Sequence, residues 1–157
     1  MEQAAKAERL EPGEFRPPKL PLVFLDTNVI IEYLRGDPSA AKLFCAEEDG
    51  RIRFAVNPIV LQELLLAGDA VGRPEFDQVR DHLRVLPLDL VKAEALIPRA
   101  RALRNRLPHA NDILILSSAE ECDFLVTTRD TVLKKLVTDE KPQVVTAEEM
   151  VSHLRAA

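Results

Sequence analysis

The chain contains no tryptophan, one tyrosine and six phenylalanines in 157 residues. That scarcity removes the aromatic platforms on which single-strand-binding domains stack bases. Cysteine is equally rare: Cys45 and Cys122 lie far apart, with no C-x-x-C and no histidine pair near either. A zinc site therefore lacks its spacing, and both thiols are expected to be free and buried. Long apolar runs are missing too. The longest, such as Leu20 to Leu25 and Ile113 to Leu116, fall well short of the roughly 18 residues that cross a bilayer, which excludes a membrane protein. The opening MEQAAKAERLEPGEF mixes charges and has no apolar h-region, so a cytoplasmic protein is expected. An excess of base is also absent. With 26 acids against 21 bases and a net charge of −5, any nucleic acid would have to be held by a local basic patch.

What is present is enough for one core. A hydrophobic share of 46% suits a single soluble domain of this length. Residues 1–21, with Pro12, Pro17, Pro18 and Pro21 and no sustained apolar period after Leu10, read as a flexible N-terminal arm before a domain over 22–157. LVFL from Leu22 is a short apolar run typical of a strand buried on both faces. A helix over TNVIIEYLRG follows, with Thr27 placed as its cap and Gly36 as its stop. The pattern then predicts a helix over Ser39 to Glu48, a strand RIRFAV, and a helix from Pro58 through Ala67. PEFDQVRDHLRV places Phe76, Val79 and Leu83 at helical spacing. Asp89 to Arg106 predicts another helix, kinked or divided at Pro98, so that the two form a hairpin on one side of the sheet. A helix over Asn111 to Cys122, a strand DFLVTT, a helix over Asp130 to Val137 and a strand PQVVT come next. Thr146 and Glu149 make the T-x-x-E capping box of a last helix. Short apolar strands alternating with helices predict a three-layer α/β/α fold around a central, mainly parallel sheet.

In such sheets ligands sit beyond the carboxyl ends of the strands. Asp26 directly follows the first strand, and Asp130 follows DFLVTT with Arg129 between. Two further acids lie in apolar helices. Glu63 stands among Leu61, Leu64, Leu65 and Leu66, an expensive place for a carboxylate, and Asp112 stands in the first turn of NDILILSSA. Each has an ordinary structural role open to it, as a cap, a first-turn charge or a solvent-facing helix position. Converging, the four would repel one another and raise their pKa values unless a cation neutralised them. Oxygen ligands without histidine or cysteine suit Mg²⁺ or Mn²⁺.

FLDTNVIIEYL, VLQELL, HANDILILSSAEE and LVTTRDTVL, in this order, resemble the PIN-domain nucleases, especially the VapC-type toxin ribonucleases. The resemblance covers about Leu22 to Met150. It implies that Asp26, Glu63, Asp112 and Asp130 form the catalytic acidic quartet holding one or two divalent ions. It implies that Asn28 braces the site from the D-T/S-N opening, and that Thr128 is the polar residue preceding the last acid. Asp123 competes with Asp130 for the last place, but it precedes its strand and belongs to the opposite end of the sheet. The implied chemistry is metal-assisted hydrolysis of RNA phosphodiesters by an activated water. The implied partners are RNA, a second copy of the chain in a homodimer, and a cognate antitoxin protein.

A basic stretch is compatible with such a substrate. Between Glu94 and Asp112 the chain carries Arg99, Arg101, Arg104 and Arg106 and no acid, a place where phosphates could dock, or simply a solvated helix face. His109 reads as a loop residue. Other classes fit less well: a haloacid-dehalogenase-type phosphotransferase needs an acid where Asn28 stands, and a receiver domain needs paired acids early and a lysine late. The remaining alternatives are a PIN fold kept for non-catalytic binding, and a PIN nuclease of RNA processing rather than a toxin.

Overall fold

A computed structural model describes residues 19–67, 74–103, 110–137 and 139–156. Most of the expected arm, together with Arg104, Arg106 and His109, therefore lies outside the described residues. Five strands, β1 (Leu22–Leu25), β2 (Arg53–Val56), β3 (Leu83–Val85), β4 (Phe124–Val126) and β5 (Gln143–Val145), form one sheet. All the pairings are parallel and the order is β3-β2-β1-β4-β5. The central strands are apolar because helices cover both faces: Val23, Phe24, Leu25, Ala55, Val56, Leu125 and Val126 are wholly buried. The helices are α1 (Thr27–Leu34), α2 (Pro38–Glu48), α3 (Pro58–Leu66), α4 (Pro74–Arg80), α5 (Leu90–Ala102), α6 (Ala110–Ala119), α7 (Asp130–Leu133) and α8 (Ala147–Ala156). Helix α2 packs against α1 and α8, while α5 packs against α6, giving the three-layer α/β/α arrangement around the sheet. Among the described residues no helix is long and apolar enough to cross a membrane.

Several local expectations are corrected. PEFDQVRDHLRV is not one helix: α4 ends at Arg80, and Leu83 pairs with Phe54 to open the edge strand β3. One apolar residue at Leu83 satisfies either period, and the unpaired edge of β2 decides the outcome. No α4–α5 hairpin forms, since β3 intervenes and α5 packs on α6 instead. Pro98 does not divide α5, which runs unbroken from Leu90 to Ala102. The cap of α1 is Asp26, whose carboxylate accepts from the Thr27 amide at 2.8 Å, and Thr27 is the first helical residue. Cys45 is exposed, whereas Cys122 is buried as expected. The box at α8 forms as expected, with the Glu149 amide donating to Thr146 Oγ1 at 3.2 Å.

One polar contact fixes the helices around the crevice. Asn57 caps α3 by accepting from the amides of Ile59 and Val60 at 3.1 Å each. Its own amide group donates to the Leu114 carbonyl and to Ser118 Oγ, also at 3.1 Å. Ser118 in turn donates to the Pro87 carbonyl at 2.8 Å. With every polar atom of this buried cluster partnered, α3 and α6 are locked together, and with them the side chains each carries toward the sheet.

Candidate active site at the sheet switch point

The strand order reverses between β1 and β4, and the crevice beyond their carboxyl ends is where such sheets bind ligands. Asp26 sits at that crevice, its amide bonded to the Val126 carbonyl at 3.0 Å. Its carboxylate is buried and doubly held: Oδ1 accepts from the Thr27 amide, and Oδ2 accepts from Thr127 Oγ1 at 2.7 Å. Burial raises its pKa; the Thr127 and Thr27 bonds pull the other way, Asp112 adds a further rise and Arg129 eases it.

Glu63 reaches the same place from α3. Burial raises its pKa first, then the charges of Asp26 and Asp112, while the nearby Thr27 hydroxyl and Arg129 ease it. Nonetheless Glu63 Oε1 and Thr27 Oγ1 are both buried without a hydrogen-bond partner of ordinary geometry. Asp112, buried at the start of α6, receives Arg129 Nη1 on Oδ1 at 2.8 Å. Asp26, Glu63 and Asp112 thus share one electrostatic environment with Arg129 at its edge. Asp130 opens α7, half-buried, with Lys134 Nζ 3.4 Å from its Oδ2. Among the described residues no three acidic, histidine or cysteine side chains form a closed metal-holding group.

Asp123 lies at the other end of the sheet, accepting from the Leu22 amide and pairing with Lys141 at 2.9 Å.

The sequence profile of the PIN domain family matches residues 23–138. The chain belongs to the PIN domain family. No curated protein matches it. Among solved structures, a toxin–antitoxin complex from Klebsiella pneumoniae is similar at 20% identity and a TM-score of 0.52, over 80% of this chain and 97% of that one. VapBC2 from Rickettsia felis, bound to a DNA fragment from its promoter, is similar at 19% identity and TM-score 0.53, over 80% and 98% of the two chains. FitAB bound to a DNA fragment is similar at 18% identity and TM-score 0.59, over 80% and 95%. At these identities the likeness speaks for the fold.

Two residues of this PIN domain's crevice were not singled out from the sequence as site residues, Thr127 and Arg129. Thr127, not Thr128, is buried and holds Asp26; Thr128 is exposed and accepts from Asn28 Nδ2 at 3.4 Å. Asn28 itself is exposed, so that contact lies at the rim. In the structure Thr127 lies two residues after the core residue Leu125 and so continues its face, one residue before the exposed Thr128. Arg99 and Arg101 are exposed near the end of α5, and the Arg99 guanidinium donates to the Lys135 carbonyl beyond α7.

The all-oxygen donor set and the unpartnered Glu63 oxygen fit a hard divalent cation. Like charges raise the cost of leaving these carboxylates unneutralised, and a cation removes that cost.

Proposed function

We propose that this PIN domain is a divalent-metal-dependent endoribonuclease acting in the cytoplasm as the toxin of a toxin–antitoxin pair. The observation that carries the reading is the buried Glu63 Oε1, with no hydrogen bond of ordinary geometry, beside the like charges of Asp26 and Asp112 at the switch-point crevice. Asp26, Glu63 and Asp112 are the proposed ligands of Mg²⁺ or Mn²⁺. Asp130 is the proposed fourth, once Lys134 releases it. Bound there, one or two such ions would supply activation of water and charge neutralisation at the scissile phosphate.

The chain's own groups have separable tasks. Thr127 and the Thr27 amide fix Asp26 so that its orientation needs no adjustment when a ligand arrives. Glu63 brings open lone pairs. Asn28 and Thr128 brace the rim between α1 and the end of β4. The exposed Arg99 and Arg101 supply phosphate contacts in an acidic protein that has few to offer. With so few aromatics, selectivity would come from the shape of a folded RNA rather than from stacked bases. The toxin–antitoxin assemblies among the structural neighbours support an antitoxin partner, and a homodimer is expected on the same reading.

The experiment is cleavage mapping on total RNA with EDTA-stripped protein, with and without Mn²⁺, for the wild type and Asp112→Asn. Cleavage by wild type only with Mn²⁺, and none by Asp112→Asn although it still binds RNA, is the expected result. Identical cuts from both proteins would remove Asp112 from the chemistry. No cleavage by wild type under any condition would leave a PIN fold used for binding alone.

A further inference from the structure

Arg129 touches the acidic crevice twice, through different atoms. Its backbone amide donates to Thr127 Oγ1 at 3.0 Å, which leaves that hydroxyl's own hydrogen for Asp26 Oδ2 at 2.7 Å. Its guanidinium donates to Asp112 Oδ1 at 2.8 Å, where the carboxylate is only 6% exposed and the arginine 30%. One residue therefore sets the direction of the bond that holds the β1 acid, and also binds the α6 acid. Its positive charge also eases Asp26 and Glu63, the two acids it does not touch.

We infer that Arg129 is a positioning residue of the crevice and the group that a divalent cation displaces from Asp112. The inference rests on the metal-binding reading of the site. A Mg²⁺-like ion takes a carboxylate oxygen at about 2.1 Å. A guanidinium at 2.8 Å from Asp112 Oδ1 takes up one lone pair of that same oxygen and crowds an ion placed on it. Two cations on one carboxylate oxygen repel at short range, so the ion and the guanidinium compete for Asp112 Oδ1. With Arg129 engaged, Asp112 Oδ1 is committed to the arginine. With the ion engaged, Arg129 is released toward solvent from a position already partly exposed, while its backbone bond to Thr127 stays in place. The chain thus carries its own counter-ion, which holds the acids against their mutual repulsion and sets a threshold for loading.

The test is Mn²⁺ binding to the full-length, EDTA-stripped chain, read from free Mn²⁺ by electron paramagnetic resonance, for wild type, Arg129→Met and Arg129→Lys. Arg129→Met should bind Mn²⁺ about tenfold tighter than wild type, and should melt at a lower temperature than wild type in EDTA. Arg129→Lys, which keeps the charge without the planar fork, should fall between. A merely structural arginine would give the opposite sign, because a disordered crevice binds metal more weakly. Equal or weaker binding by Arg129→Met overturns the inference while leaving the metal site intact, whereas no Mn²⁺ binding by wild type overturns the metal-site reading and this one together. Should the methionine variant not fold, the wild type still decides. In nuclear magnetic resonance of the arginine-labelled chain, saturating Mg²⁺ should shift the Arg129 side-chain Nε–Hε resonance, assigned by its loss in Arg129→Lys. An unmoved resonance refutes displacement.

Discussion

Replacing Thr127 by valine removes one hydroxyl and keeps the side chain's shape, so it takes away the bond that holds Asp26 together with the one accepted from the Arg129 amide. The hydroxyl donates to a carboxylate 5% exposed at 2.7 Å. A hydrogen bond to a charged group contributes about 1.5–3 kcal/mol, because losing it leaves a buried charge short of a partner. In a domain of this size each kcal/mol moves the melting temperature by about 2–4 °C, so Thr127→Val should melt about 3–12 °C lower at neutral pH. The pH dependence gives a second, independent check. The bond favours the charged form of Asp26, so the wild type has the lower folded pKa of the pair. Its advantage is full above both folded pKa values and fades as pH falls through them. Because burial lifts Asp26 above the ordinary aspartate value, the fading should begin above that value. Thermal unfolding by circular dichroism in EDTA, repeated from pH 7.5 down to pH 3.5, measures both. A melting shift under about 1 °C at neutral pH, or a gap that does not narrow on acidification, would refute the reasoning.

Glu63→Gln should stabilise the EDTA-treated protein at neutral pH. Burial and the charges of Asp26 and Asp112 raise the folded pKa of Glu63, so the wild type loses stability as pH rises through that value. The gain should vanish near pH 4, and millimolar Mn²⁺ should raise the melting temperature of the wild type more than that of the variant. Asn57→Ala removes the α3 cap and leaves Ser118 and the Leu114 carbonyl without their partner, so it should cost about 3 kcal/mol by urea unfolding. Native protein should show one thiol to a colorimetric disulfide reagent and two in denaturant, since Cys45 is exposed while burial pushes the buried Cys122 thiol up to about 12.

The fold was legible where periodicity and chain length agreed. LVFL reads as a strand buried on both faces and RIRFAV as a strand, and the T-x-x-E pair at Thr146 reads as the opening of a helix, all of which form. It was illegible at β3, a three-residue strand with Arg84 and Val85 exposed. Such a segment has no apolar pattern of its own and exists because β2 offers an unpaired edge. Pro98 was misleading for a related reason. A proline deletes one bond of a helix, and the packing of α5 on α6 offsets the loss.

The site divides along the same line. Asp26 and Asp112 could be picked out because each stands at an element boundary, and Glu63 because its neighbours are leucines. That Asp26, Glu63 and Asp112 share one environment was not in the sequence; it depends on the order β3-β2-β1-β4-β5, which puts the end of β1 beside the end of β4. The choice between Thr127 and Thr128 was hidden by a different cause. A strand covered on both faces is apolar throughout, so its hydrophobicity carries no parity, and two adjacent threonines beyond it look alike. Parity becomes visible only when the register Leu25↔Val126 is known. Arg129 then follows of necessity. Once Thr127 points to Asp26, the backbone of residue 129 returns to the Thr127 hydroxyl, and a long cationic side chain leaving that turn meets Asp112 at the start of α6. A charge that reads as surface in the linear sequence is thereby placed at the crevice, where its exchange with a metal ion can be measured.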